Sequence, residues 1–405
     1  MRILIVNKFL YPNGGSETYI FKIGKQLQQM GHEVQYFGME HEGRVVGNHA
    51  ESYTSDMDFH GTGISRLLYP FRILYSWESR KKIRIVLEDF HPDIVHLNNI
   101  NFQLTPSIID EIRNFDSSIR IVYTAHDSQW VCPGHLLRVP ATGELCTRCI
   151  DGAYRNCMKH RCIHNSRIKS ILGMLEAEVY RSRNTYKKVD IIICPSEFMN
   201  RLLSHNKALR GRTVTLHNFA DYSLKNLKLE KNTEQSYVLY FGRYGEEKGI
   251  YTLLEACRRL PEIPFIFAGK GPLQEQVNSV DNVTDKGFLS GIELQQLIRN
   301  ATFTVFPSEC YENCPFTVME SQINGTPILA SDLGGTPELI QEGVTGETFK
   351  AGDVDQLEEK IWKLWNCPER CKEYRENCEA LSFADGENGF DTLEEYCQKL
   401  EAIYG

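Results

Sequence analysis

Along the first half of the chain, short apolar runs at 2–7, 33–37, 93–97, 119–124 and 189–194 are mostly continuous instead of alternating with polar residues. Strands read this way when helices cover both faces of a parallel sheet. After the loop 8–15, Ile20, Ile23, Leu27 and Met30 recur at the spacing of one helix face, and Gly31-His32 ends the pattern before the next run. The chain therefore opens as a βαβ unit. The second half repeats the scheme, with strands expected at 237–241, 264–268, 301–306 and 327–330 and helices at 251–259, 293–299, 318–324 and 354–365. Between them, 221–236 is polar and poor in apolar residues, as suits a linker. The pattern predicts an α/β protein of two doubly wound, Rossmann-like domains facing a central cleft, with ligands at the carboxyl ends of the strands.

Length agrees, because 405 residues exceed what one core usually supports. Hydrophobic content of 41% and charged content of 24% exclude a mainly disordered chain. The net charge of -8 is uneven: residues 1–210 carry 27 Lys/Arg against 21 Asp/Glu, and residues 211–405 carry 18 against 32. With an acidic chain and no nucleic-acid motif, nucleic acid is a poor partner. The first apolar run is strand-length and not a signal core, and no stretch of about 18 apolar residues could span a membrane. Thirteen cysteines, an odd count without an export signal, favour reduced thiols in the cytoplasm.

Three places carry candidate chemistry. Gly14-Gly15-Ser16-Glu17 lies between the first strand and its helix, where glycines admit a ligand and free N–H groups favour an anion, although a plain turn has the same look. Arg243 and Lys248 flank the turn after the strand 237–241, so both could point at a diphosphate or stand solvated in a loop. Glu312 and Glu320 sit eight positions apart in a loop and the helix after it, either as acceptors for sugar and ribose hydroxyls or as ordinary surface and helix-end carboxylates.

Taken together, Gly14-Gly15-Ser16-Glu17, Thr124-Ala125-His126-Asp127, Gly242-Arg243 with Lys248-Gly249, Glu312-x7-Glu320 before Gly325-Thr326-Pro327, and Gly334-Gly335-Thr336-Pro337-Glu338 resemble glycosyltransferase family 4 nearly end to end. The resemblance implies the GT-B fold, with an acceptor-side domain at 1–215, a nucleotide-sugar domain at 216–388 and a helix at 389–405 crossing back to the first domain. It implies a retaining, metal-independent hexosyltransferase whose donor is a UDP- or GDP-linked sugar and whose acceptor is a saccharide or lipid-linked glycan in polysaccharide or glycolipid assembly. In that frame Arg243, Lys248, Glu312 and His126 are the catalytic set. Gly14, Gly15, Phe288, Asn313, Cys314, Pro315, Phe316, Thr317 and Glu320 contact the donor. One departure stands out: Asn313-Cys314-Pro315-Phe316 replaces the family's frequent Gly-Phe-Gly, and the proline removes an N–H donor. A sugar-nucleotide epimerase of the same fold and an inactive, membrane-associated carbohydrate-binding subunit are the rival readings.

Two further features are independent of this. In the insert 132–165, Cys146, Cys149, Cys157 and Cys162 have spacing that a structural zinc would suit, with His160 and His164 as spare ligands and free thiols as the alternative. Residues 66–84 hold six cations and one acid with Tyr69, Phe71, Tyr75 and Trp77, a composition for contact with the inner face of an anionic membrane or for an ordinary basic helix face. The triplets Asp56-Met57-Asp58 and Asp353-Val354-Asp355 are rejected as metal sites, the second because it caps a helix start.

Overall fold

The structure, a computed structural model, describes residues 1–55, 72–221, 236–381 and 389–405. The chain forms two compact units, Met1–Leu216 together with Tyr396–Gly405, and His217–Glu395. In the first unit, strands β1 (Arg2–Val6), β2 (Glu33–Phe37), β3 (Ile94–Leu97), β4 (Arg120–Thr124), β5 (Ile191–Cys194) and β6 (Thr213–Thr215) lie in the order β2-β1-β3-β4-β5-β6. All neighbours are parallel. Ile3 to Val6 are fully buried, which is why that run is continuous and not alternating. The last helix, Leu393–Tyr404, buries Tyr396, Cys397, Leu400 and Tyr404.

In the second unit, β7 (Val238–Arg243), β8 (Phe265–Lys270), β9 (Val283–Asp285), β10 (Phe303–Phe306), β11 (Ile328–Ser331) and β12 (Gly346–Phe349) form a parallel sheet ordered β12-β11-β10-β7-β8-β9. Its core joins Val238, Tyr240, Phe265 and Val305 of the sheet to Leu253 and Leu357 of covering helices. The chain winds outward from β7 to β9, returns to the other side of β7 as β10, and winds outward again. The loops after β7 and β10 therefore leave in opposite directions and open a crevice at the sheet's carboxyl edge, the switch point where doubly wound sheets bind ligands. In the first sheet the same reversal lies between β1 and β3.

The nine predicted strands are all present. Three short edge strands, β6, β9 and β12, escaped the periodicity reading because three or four residues with one large apolar side chain each, Val214, Val283 and Phe349, leave no apolar run. Asp353 caps the helix Val354–Trp365, its carboxylate accepting from Gln356 N at 3.0 Å, as expected of a helix start. Asp56-Met57-Asp58, most of the 221–236 linker and residues 66–71 of the basic segment lie outside the described residues.

Candidate functional site

The switch point of the second sheet gathers the cationic turn and the first of the two glutamates. β7 ends in Gly242 and Arg243, a single turn Glu246–Lys248 follows, and the helix Ile250–Arg259 begins. Opposite, β10 runs out into Pro307, Ser308 and the loop that carries Glu312 before the helix Phe316–Ile323. Two glycines make the fit possible. Gly249, at φ 71°, would place a Cβ 1.8 Å from the Pro307 carbonyl oxygen, and Gly334, at φ 68°, would place one 2.4 Å from the Glu312 carbonyl oxygen. Gly335 N then donates to that same Glu312 carbonyl at 2.8 Å, so the Gly334-Gly335 turn braces the Glu312 loop.

Lys248 Nζ reaches Glu312 Oε1 at 2.5 Å, and both side chains are mostly buried. Ser308 Oγ donates to the same oxygen at 2.7 Å, and Cys310 Sγ lies 3.6 Å from it. Burial opposes both charges, yet the pairing prevails: the ammonium is held above its ordinary range and the carboxyl below its own. Burial beside this carboxylate pushes the Cys310 thiol up to about 11, so it stays protonated. Arg243 is different. It pairs with Glu247, and its side chain remains 60% exposed at the rim. The site thus offers an outer cation, an inner cation and a carboxylate with its second oxygen available for geometry of its own.

The remaining donor-side residues divide by burial. Cys314 is buried in the apolar cluster with Val318, Met319 and Ala330, its sulfur accepting from Asn218 N at 3.3 Å. Asn218 also donates from its amide to the Cys314 carbonyl at 3.0 Å. Pro315 precedes the first helical residue, Phe316, in extended conformation, while Asn313, Thr317 and Glu320 are half-buried along that loop and helix. Phe288 stands 65% exposed, with Lys270 Nζ 4.9 Å from its ring centre.

In the first unit, Gly14 and Gly15 are exposed at the start of the helix Gly15–Gln29. Glu17, two residues on, is buried and accepts from Asn7 Nδ2 and Ser16 Oγ at 2.9 Å each. His126 follows β4, its Nε2 donating to Asn98 Oδ1 at 2.8 Å. The Asn98 amide donates at 3.3 Å to the Val6 and His96 carbonyls, which turns its oxygen toward His126 and assigns the imidazole proton to Nε2. Burial pulls His126 down to about 4 against the opposing pull of Asp127, leaving a neutral ring.

In the insert, Cys149 and Cys157 are buried in a small cluster with Tyr154 and Ala177, with Cys162 packed against it. Cys132, which the spacing did not single out, bears electrostatically on Cys149 and Cys162, whereas Cys146 lies beside Arg148 Nη1 at 3.5 Å. Among the described residues no three His, Cys, Asp or Glu side chains come together to hold a metal ion. No helix among them is long and apolar enough to cross a membrane. In the basic segment Arg80 and Arg84 both bind Glu111, with Arg80 Nε at 2.8 Å, and Arg72 pairs with Glu78. Several of its cations are thus spent on internal ion pairs.

Sequence reasoning missed Ser308 and Glu247, whose partners Glu312 and Arg243 lie four residues away, and Asn98 and Asn218, whose partners are brought close only by the fold. The second unit thus presents a switch-point crevice lined by a Lys–Glu pair and an exposed arginine, and each unit is built on a doubly wound parallel sheet. The chain belongs to glycosyltransferase family 4: the model of that family matches residues 13–224, more than half of the chain, and the glycosyl transferases group 1 model matches residues 224–380. A sulfoquinovosyl transferase of Arabidopsis thaliana is 30% identical over 181 residues, 43% of this chain and 35% of the relative. An alpha-D-kanosaminyltransferase of Streptomyces kanamyceticus is 29% identical over 158 residues, 36% of this chain and 41% of the relative. The matches span well under half the length of those relatives. Among solved structures, a sucrose-phosphate synthase from Thermosynechococcus elongatus superposes with TM-score 0.71 at 17% identity, over 100% of this chain and 98% of that one. The Anabaena protein HepE in complex with UDP-glucose does so with TM-score 0.65 at 15% identity, over 100% of both chains. At such identities the likeness is one of fold, and the fold is GT-B.

Proposed function

We propose that the protein is a retaining glycosyltransferase that moves a sugar from a UDP- or GDP-linked donor to a saccharide or lipid-linked glycan. The carrying observation is the buried Lys248–Glu312 pair beside exposed Arg243 at the β7/β10 switch point. Cleaving the bond between the anomeric carbon and the diphosphate oxygen builds negative charge on the leaving group and positive character on the sugar. Lys248 and Arg243 are placed to meet the first, and such preorganised partners contribute a few kcal/mol each. In this reading they supply the neutralisation for which other transferases recruit a divalent ion. Glu312 accepts a sugar hydroxyl, Glu320 the ribose hydroxyls, and Gly14-Gly15 offers backbone N–H groups to phosphate. The acceptor hydroxyl attacks on the face the diphosphate leaves, and its proton passes to a diphosphate oxygen. The products are a glycoside of unchanged anomeric configuration and the nucleoside diphosphate. His126, neutral and protonated on Nε2, contributes from the sugar side. The relatives' names, both sugar transferases, and the UDP-glucose bound by HepE support the donor class.

The test is thermal unfolding with UDP-glucose, UDP-galactose, UDP-N-acetylglucosamine and GDP-mannose, followed by product analysis. A true donor near a hundred times its Kd stabilises by about 2.7 kcal/mol, or roughly 5–10 °C for a unit of this size. No stabilisation by any of the four would contradict the donor class, and release of a free epimer would favour the epimerase.

A further inference from the structure

A buried polar network of the first unit lies behind His126. Tyr396 OH meets Tyr19 OH at 2.8 Å, Tyr19 OH meets Thr124 Oγ1 at 3.3 Å, Thr124 Oγ1 meets His96 Nε2 at 2.7 Å, and His96 Nδ1 meets Tyr404 OH at 2.7 Å. All five residues are buried, so every polar atom in this chain depends on its neighbour. Burial, with His126 adding to it, holds His96 neutral, down to about 3. A neutral imidazole has one donor and one acceptor nitrogen, so His96 gives the chain of hydroxyls a direction. The two ends belong to the final helix, the middle to the helix after the first loop and to the strands β3 and β4.

The network touches His126 in two ways. The Tyr19 ring stands edge-on to the His126 ring, 4.9 Å between centres and 73° between planes. Thr124 is two residues before His126, and His126 N donates to the Thr124 carbonyl at 3.1 Å. The other groups facing the ring are Asn98, which takes its Nε2 proton, Asp127 beside it and His96 behind. The same Tyr19 ring is edge-on to Tyr396, 5.8 Å away, so the final helix and His126 press on one aromatic plate.

We propose that Tyr396 and Tyr404 of the final helix are positioning residues for His126, fixing its ring plane through Tyr19, Thr124 and His96, while Asn98 sets its tautomer. The assignment rests on the sugar-side reading of His126 for its catalytic meaning, but the positioning itself is measured apart from turnover. Tyr404→Phe removes one hydroxyl and keeps the packing, leaving His96 Nδ1 without its partner. The tautomer of His96 then loses its anchor, and with it the hydroxyl order that holds Tyr19 against His126.

The experiment is histidine-selective 15N NMR of the full chain between pH 4 and 8, for the wild type, Tyr404→Phe and Tyr396→Phe, with thermal unfolding to show that each variant is folded. In the wild type the His126 ring carries its proton on Nε2 and stays neutral to about pH 4. In Tyr404→Phe, His96 populates both tautomers, the His126 ring signals move, and its proton affinity rises by about tenfold as the ring is released toward water. Should neither final-helix variant fold, Tyr19→Phe interrupts the same chain from within and carries the test. Folded variants in which the His126 ring signals and titration match the wild type would overturn the assignment. A catalytically silent His126→Gln would instead overturn the sugar-side reading and leave the positioning intact.

Discussion

Lys248 and Glu312 owe their charges to each other, so removing either one leaves the other buried and uncompensated. Lys248→Ala leaves Glu312 buried without its counter-ion, so the loop after β10 should loosen and the variant lose stability as well as transfer. Glu312→Gln keeps an acceptor oxygen for Ser308 but leaves the mostly buried Lys248 ammonium without its counter-charge, so it too should lose stability, and transfer should fall by about 1–3 kcal/mol of transition-state binding, read as kcat/KM. Glu176 offers a second residue-level test. It is buried, accepting from Phe102 N at 3.1 Å, and burial raises its carboxyl to about 8. The unfolded chain ionises above about 4.5, so the stability of the neutral native form is full below that and lost as pH rises toward 8. Glu176→Gln escapes this loss: urea denaturation should show it more stable than the wild type by roughly 1–3 kcal/mol at pH 8 and little different at pH 4. His96 acts oppositely, since its neutral state is penalised as pH falls from 6.5 toward 3. Arg243, Lys248 and Glu312 were legible because the chemistry of a diphosphate sugar asks for those types after strands. Asn98 and Glu176 were not, because an asparagine or a buried glutamate takes its meaning from a partner far along the chain, and Ser308 was not, because only the folded loop turns its hydroxyl onto Glu312 four residues on.

At the scale of elements, the parallel strands were readable wherever they carry a run of apolar residues, including the edge strand β2, and unreadable in the three short edge strands β6, β9 and β12. The glycines of the site were readable as motif and became physical only with the backbone in place. Gly249 has no room beside Pro307, so Gly249→Ala should cost at least about 2 kcal/mol by chemical denaturation and separate the Arg243–Lys248 turn from the β10 loop. Near-wild-type stability would contradict the described approach of the two loops. The basic segment is a case where composition leaves the use of its charges open. Its composition suggested a surface free to meet lipid, but Arg80 and Arg84 hold Glu111 on the neighbouring helix Ser107–Phe115. Trp77, 72% exposed, and exposed Lys81 remain for such a contact. Sedimentation with phosphatidylserine vesicles should lose affinity on Trp77→Ala if that helix is the contact.

At the scale of the molecule, the two-unit architecture was legible from length and repeat of pattern, the place of the final helix was expected only from the family resemblance, and in the structure Tyr396 and Tyr404 carry its contacts with Tyr19 and His96. Deleting 396–405 removes the partners of Tyr19 and His96 from the first unit. Hydrogen exchange should then accelerate in β1, β3 and β4 and stay unchanged in β7 and β8, whose core draws on none of those residues. The charge split between the halves leaves the acidic second unit with a small number of cations at its switch point, and on those the proposed chemistry depends. The most direct measurement is calorimetric titration of UDP and of GDP into the wild type and into Arg243→Ala, whose exposed side chain can be removed without disturbing the core. The account predicts that the wild type binds at least one of the two and that Arg243→Ala, folded as before, binds it about tenfold or more weakly. Equal affinity in the two proteins, or binding of neither nucleotide by the wild type, would contradict it.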